Sequence, residues 1–298
     1  MYFNKYRVII PFLLPAIVLY SIFVLYPYAQ AFYLSLTSWS GTSSDLPFVG
    51  LDNFRNLLTD GRFLSSLANN GKFLIVLPLG ALSLALLYAA LFTQGNQPIL
   101  GAGFYRIVFF FPQVISLVII GILFQYVYNP RYGLLNSTLE YMGMENLQRT
   151  WLGNNSTIFW AIAFVFIWAS VGFYMIIFMS SMQSIPTSFY EAATLDGAGR
   201  WRQFRDITLP LMWETIRTAI IYIAIAALDM FVIIQVITGG TSTSSARSVE
   251  TVAVYMYIEA FSKSRWGYAA TVGVILLILT LLLSVVLMRL TKRETYEF

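Results

Sequence analysis

The chain has 298 residues, of which 58% are hydrophobic and 11% charged, and it contains neither cysteine nor histidine. Soluble domains carry roughly 25% charged residues, so this composition excludes a water-exposed globule, and the two missing residue types exclude disulfide frameworks, thiolate metal sites and imidazole acid/base chemistry. The net charge of +4 fits basic loops on one side of a membrane, with no call for nucleic acid.

A helix crossing the hydrocarbon core needs about 20 apolar residues, and six stretches qualify: 8–34, 73–93, 107–128, 158–182, 218–237 and 268–288. Asp229 is the one charged residue inside them. The expected fold is therefore all-α, a polytopic membrane protein with six transmembrane helices in a single membrane domain over 1–298. The first stretch follows Lys5 and Arg7 and contains a cleavage-like Ala29-Gln-Ala31. It runs far beyond the 7–15 residues of a signal-peptide core, and is read as a retained helix. Pro11, Pro15, Pro27, Pro78 and Pro112 fall within spans, where they predict kinks, because packed neighbours can satisfy the freed carbonyls.

Six spans put both termini on one side. With the termini inside, Lys5, Arg7, Arg106, Arg200, Arg202, Arg205, Arg217, Arg289, Lys292 and Arg293 lie in the short cytoplasmic segments, and the remaining Arg and Lys are spread over longer outer loops. That bias predicts cytoplasmic termini. The outer loop 35–72, with Gly41-Thr-Ser-Ser-Asp45 and Val49-Gly-Leu-Asp-Asn-Phe54, reads as a small ordered cap at most. Residues 129–157, with Asn129-Pro130 and Gly133, read as turns and short helices.

The loop between the fourth and fifth spans carries a pattern of its own. Pro186 ends the fourth span, and Ser188 with Glu191 three residues later reads as a capping box opening a short helix. Gly197 reads as its left-handed terminator. Trp201, Phe204 and Arg205 then recur at helical spacing up to Leu209-Pro210. The result is a helical hairpin presenting Phe189, Tyr190, Ala192 and Ala193. On these residues alone, an interfacial amphipathic hairpin and a partner-docking knob are equally compatible.

Within the spans, Asp229 costs about 2.5–3.5 kcal/mol on insertion scales. It is a candidate for the substrate pathway or its gate, or, as a structural residue, for a contact with a second membrane subunit or a protonated side chain in a packed bundle. Gln125, Trp168, Tyr174, Tyr222 and Gln235 are further pathway candidates by hydrogen bonding or stacking, although aromatic residues are common in membrane helices. One aspartate is thin support for an ion-coupled secondary transporter, which needs ion sites near the midplane. No metal-ligand spacing or cluster of acids and bases suggests an enzyme, and no G-x-x-x-x-G-K-[ST] sequence occurs.

Glu191-Ala-Ala, three residues, Gly197, nine residues, Ile207, one residue and Leu209-Pro210 resemble the EAA loop of ABC importer permeases. The longer match over 191–198 is similar to the binding-protein-dependent carbohydrate permeases. Ile10-Pro-Phe-Leu-Leu-Pro15, Tyr26-Pro27, Ser35-Leu-Thr37, Phe48-Val-Gly-Leu-Asp-Asn-Phe54, Phe109-Phe-Phe-Pro112 and Ile237-Thr-Gly-Gly240 are similar to recurrent segments of the same family. Trp213 departs from the pattern, since a proline often stands there. Contacts made through the extra N-terminal helices of the larger maltose permease subunit are not carried over.

The resemblance implies a type I importer permease fold in a bacterial or archaeal plasma membrane, and a non-catalytic subunit of an ATP-driven sugar uptake system. It also implies an ATPase-coupling role for Glu191, Ala192, Ala193, Asp196 and Gly197. Implied partners are a second homologous permease, two cytoplasmic ATPases that use ATP and Mg, an extracytoplasmic solute-binding protein, the sugar and membrane lipid. No cofactor is implied for this chain.

Overall fold

The computed structural model describes residues 5–94, 97–98, 100–240 and 243–292; Arg293, counted above among the basic residues, lies outside them. Among the described residues, four helices are long and apolar enough to span a membrane: Ile9–Ser35, Gly61–Phe92, Ile158–Ser184 and Trp266–Leu290. Two further pairs are bent, Gly103–Val114 with Leu117–Val127 by 96° and Arg200–Leu211 with Trp213–Leu228 by 67°; counting one span at each pair gives the expected six, the fifth beginning at Trp213 after the bend.

Breaks follow local chemistry. The third span expected over 107–128 is interrupted at Ile115–Ser116, three residues after Pro112, where the Ile115 N–H turns back to the Pro112 carbonyl at 3.2 Å. The fifth, expected over 218–237, is the helix Trp213–Leu228, an interruption at Asp229–Met230, and a short helix Phe231–Ile237. The second span starts at Gly61, twelve residues before the expected boundary, because the Asp60 carboxylate accepts the Arg62 and Phe63 N–H groups at 2.8 and 3.2 Å. Residues 61–72 are therefore helix and not outer loop.

By contacts within the chain, two compact units form, one of residues 1–64 with 255–279 and one of residues 65–254 with 280–298. In the first unit, Asn53 donates to the Ser35 and Thr37 carbonyls at 3.0 and 2.8 Å, and Thr271 donates to Ser35 at 2.9 Å. The other carboxylate oxygen of Asp60 accepts Tyr255 and Tyr268 hydroxyls at 2.8 and 3.3 Å. Burial alone would raise the Asp60 carboxyl, but its bonds from Tyr255, the Phe63 and Arg62 N–H groups and Tyr268 hold it below the usual carboxylate range. Glu259, fully buried, is paired with Lys263 and Arg265, as a buried charge must be.

The second unit is organised around the helix Ile158–Ser184, whose Val165, Met175, Phe178 and Met179 are fully buried. Gly172 lets the first half of the third span pack on it without a side chain between: a Cβ there would lie 1.9 Å from the Phe109 carbonyl oxygen. Aromatic rings fill the adjoining space, with Phe92 and Tyr105 stacked at 4.6 Å and Tyr88 against Phe109 at 4.5 Å. The loop after the third span contains the helix Leu134–Tyr141 and a short turn at Glu145–Leu147, as expected of a segment of turns and short helices.

Candidate functional site

The hairpin after the fourth span starts with the helix Thr187–Leu195. Pro186, extended at φ −58° and ψ 138°, is its N-terminal boundary, and no side chain caps it. The expected Ser188–Glu191 capping box is thus not formed: the N-cap is Pro186, two residues earlier, so Ser188 is already inside the first turn. The C-terminal expectation is met. Gly197 sits at φ +77°, with its N–H on the Thr194 carbonyl at 3.0 Å and the Ala198 N–H on the Ala193 carbonyl at 2.8 Å, the paired bonds of a glycine-terminated helix.

Two side chains make the hairpin a rigid body. Tyr190 is buried at its root, and its hydroxyl meets the Thr208 hydroxyl at 3.0 Å; burial pushes the phenol pKa up, partly offset by that bond. Gln203 donates to the Thr194 hydroxyl and the Ala198 carbonyl, both at 3.0 Å, joining the two arms. Glu191, Ala192, Asp196 and Gly197 are exposed and Ala193 is half-buried. Glu191 has no ion pair among the described residues and lines a cleft of about 1050 Å³ together with Arg200, Trp201, Leu87 and Leu91. Leu195 is 90% and Trp201 72% exposed, so the tip offers apolar surface that the chain itself does not cover. The ion pairs of Asp206 with Arg202 and Arg205 are long, at 3.7 Å, and solvent-exposed, and contribute little.

The pathway candidates separate into three places. Asp229 is not within a helix, as expected from its mid-span position, but at the interruption of the fifth span, exposed, with φ −102° and ψ 57°. Tyr222, 66% exposed, lies two turns before it on the same face. Gln125 donates to the Val236 and Ile237 carbonyls at 2.6 and 3.3 Å, so it holds the end of the short helix Phe231–Ile237; Gln235 lies over Gly240, and Trp168 meets Phe124 edge-on at 5.3 Å. Gln125 also lines a cavity of about 610 Å³ with Tyr126, Tyr128, Tyr132, Thr238 and Ser245. Tyr174 is buried in the fourth span.

A polar cluster that sequence reasoning missed holds the interruption of the fifth span. Asn70, fully buried, donates to the Ala227 and Leu228 carbonyls at 3.0 and 3.2 Å and accepts the Val252 N–H at 2.8 Å. Its neighbour Asn69 donates to the Glu250 carbonyl at 3.0 Å, and Ser66 to the Glu250 carboxylate at 3.2 Å. The spacing 66, 69, 70 on one helical face was the available signal, but it lay in a segment read as loop.

Six apolar spans, two of them broken beside polar side chains, with a rigid exposed hairpin before the fifth, define the architecture of a solute permease. The chain belongs to the family of binding-protein-dependent transport system inner membrane components, which matches residues 85–295. It is 38% identical over 288 residues to the diacetylchitobiose uptake system permease protein NgcF of Streptomyces coelicolor, covering 94% of this chain and 80% of that one. Its fold is that of a bacterial ABC transporter involved in the import of the acidic polysaccharide alginate, with a TM-score of 0.84 at 21% identity and 98% of both chains covered. The same transporter type solved with an alginate pentasaccharide-bound periplasmic protein matches at TM-score 0.82 and 22% identity, again over 98% of both. The chain is therefore a multi-pass inner membrane permease subunit of a binding-protein-dependent ABC transport system, and not an enzyme.

Proposed function

We propose that this permease imports an oligosaccharide, forming half of an alternating-access pathway with a second homologous permease, and that two cytoplasmic ATPases, consuming ATP and Mg, drive it through the hairpin at Glu191–Gly197. The observation that carries the docking reading is the hairpin itself: rooted by Tyr190 and Thr208, braced by Gln203, and exposing Glu191, Ala192, Asp196 and Gly197. Such a rigid projection transmits closure of its partners into tilting of the spans as a two-state change. The sugar reading draws on the uptake of diacetylchitobiose named for the relative and of alginate named for the structural neighbour. Delivery by a solute-binding protein accords with the family's dependence on one. A second permease is supported by the first span, whose 18-residue apolar window has no buried residue within this chain. On this reading both termini and the hairpin face the cytoplasm.

Vesicles containing this chain with its partner permease, ATPase and binding protein provide the test. Uptake of a labelled chito- or other oligosaccharide should require ATP inside the ATPase-accessible compartment. Uptake that continues without ATP and follows an imposed proton or sodium gradient would overturn the proposal.

A further inference from the structure

Trp213, which departs from the recurrent motif, is the first residue of the fifth-span helix and follows the hairpin with only buried Met212 between. Its indole N–H donates to the Thr291 carbonyl at 2.9 Å. One turn later Arg217 donates through Nε to the Thr291 hydroxyl at 3.2 Å, through Nη2 to the Met288 carbonyl at 3.0 Å, and through Nη1 to both Glu214 oxygens at 3.0 Å. The last carbonyls of a helix lack partners within it, and here two side chains of the fifth span supply them for the end of Trp266–Leu290. A proline at 213 could donate nothing. The Arg217 side chain is only 19% exposed, and its planar guanidinium fork fixes direction in a way a lysine ammonium does not.

We propose that Trp213 and Arg217 are positioning residues forming a latch, so that the start of the fifth span and the end of the sixth move as one body when the hairpin is driven. This inference rests on the reading of the hairpin as the ATPase-docking element. A latch differs from an ordinary helix cap in its consequence: it conveys displacement of one hairpin arm to two spans, and breaking it lowers transport per ATP while docking persists.

The chain has no cysteine, so spin labels can be attached at Thr218→Cys and Lys292→Cys, both exposed, in the assembled transporter. The latch predicts a narrow label-to-label distance that is the same in nucleotide-free and ATP-trapped states. Trp213→Phe combined with Arg217→Gln should broaden it and lower sugar uptake per ATP hydrolysed by about tenfold, the scale expected for losing hydrogen bonds to a charged group, with ATPase association retained. Arg217→Lys, keeping charge without the fork, should fall between.

A distance that changes between the two states in the otherwise unaltered chain overturns the latch, as does a double variant with normal uptake per ATP. If the double variant fails to assemble, the two-state distance in the unaltered background still decides. Absence of ATPase association in that background would defeat the docking reading and the latch with it, whereas association with a state-dependent distance defeats the latch alone.

Discussion

At Gly197 the cost of a side chain is conformational and not steric crowding. Its φ is +77°, and an added Cβ would meet no atom within 4 Å. Holding an L-residue in that region costs about 1–2 kcal/mol, more for a β-branched one and less for asparagine. Gly197→Val should therefore unwind or redirect the end of Thr187–Leu195 and abolish ATPase capture on detergent pull-down, while Gly197→Asn retains most of it. Equal capture by both variants would show that the helix end has no part in docking. Asp229 poses the complementary case, a polar side chain with space around it. Exposed beside a break in the fifth span, it is available to a sugar hydroxyl or to a partner subunit. If it bonds sugar, Asp229→Asn should keep part of the uptake and Asp229→Leu almost none, both assembling normally. Dispersal of the complex by the leucine variant would assign it to the subunit interface, and full uptake by that variant would remove it from both roles.

Helices were legible in the sequence where one face or the whole surface is apolar, and illegible where polar residues are buried. The hairpin's glycine terminator was readable because positive φ has a residue-type signature; its N-terminus was misread because Ser188 and Glu191 have capping spacing but sit two residues too far along. Asn69-Asn70-Gly71-Lys72 looked like loop for want of hydrophobicity, yet Asn70 is a structural partner for another helix. With the fifth span interrupted at Asp229–Met230, the Ala227 and Leu228 carbonyls accept the Asn70 amide. That compensation depends on residues more than 150 positions away, which no local pattern reveals. Asn70→Ala leaves those carbonyls and the Val252 N–H without this partner, and should destabilise the folded chain by about 3 kcal/mol. Asn70→Asp retains an acceptor for Val252 but offers no amide donor, and should be destabilising as well. Thermal unfolding of the detergent-purified subunit measures both, and an unchanged midpoint for Asn70→Ala would show that the interruption needs no clamp.

At the scale of the whole molecule, the question the sequence answers only through charge is which loops face outward. Ten of the 18 basic residues fall in the segments assigned to the cytoplasm, a bias that orients helices during insertion. The hairpin must share that side if ATPases are to reach Glu191 and Gly197. Ser43, Ser137 and Ser244 are exposed in loops assigned to the outside, and Arg202 is exposed on the hairpin. Because Gln203 bridges the hairpin arms, Arg202 is the safer position for a probe there. Single cysteines replacing the three serines should react with a membrane-impermeant maleimide added to intact cells or spheroplasts. A cysteine replacing Arg202 should react only after the membrane is opened. Labelling of Arg202→Cys from outside, with the serine positions protected, would invert the topology and separate the hairpin from any cytoplasmic ATPase. Labelling of Ser43→Cys but not Ser137→Cys would instead mean that the bent pair Gly103–Val114 and Leu117–Val127 re-enters without crossing, since a 96° turn at Ile115–Ser116 can return a chain to the side it came from.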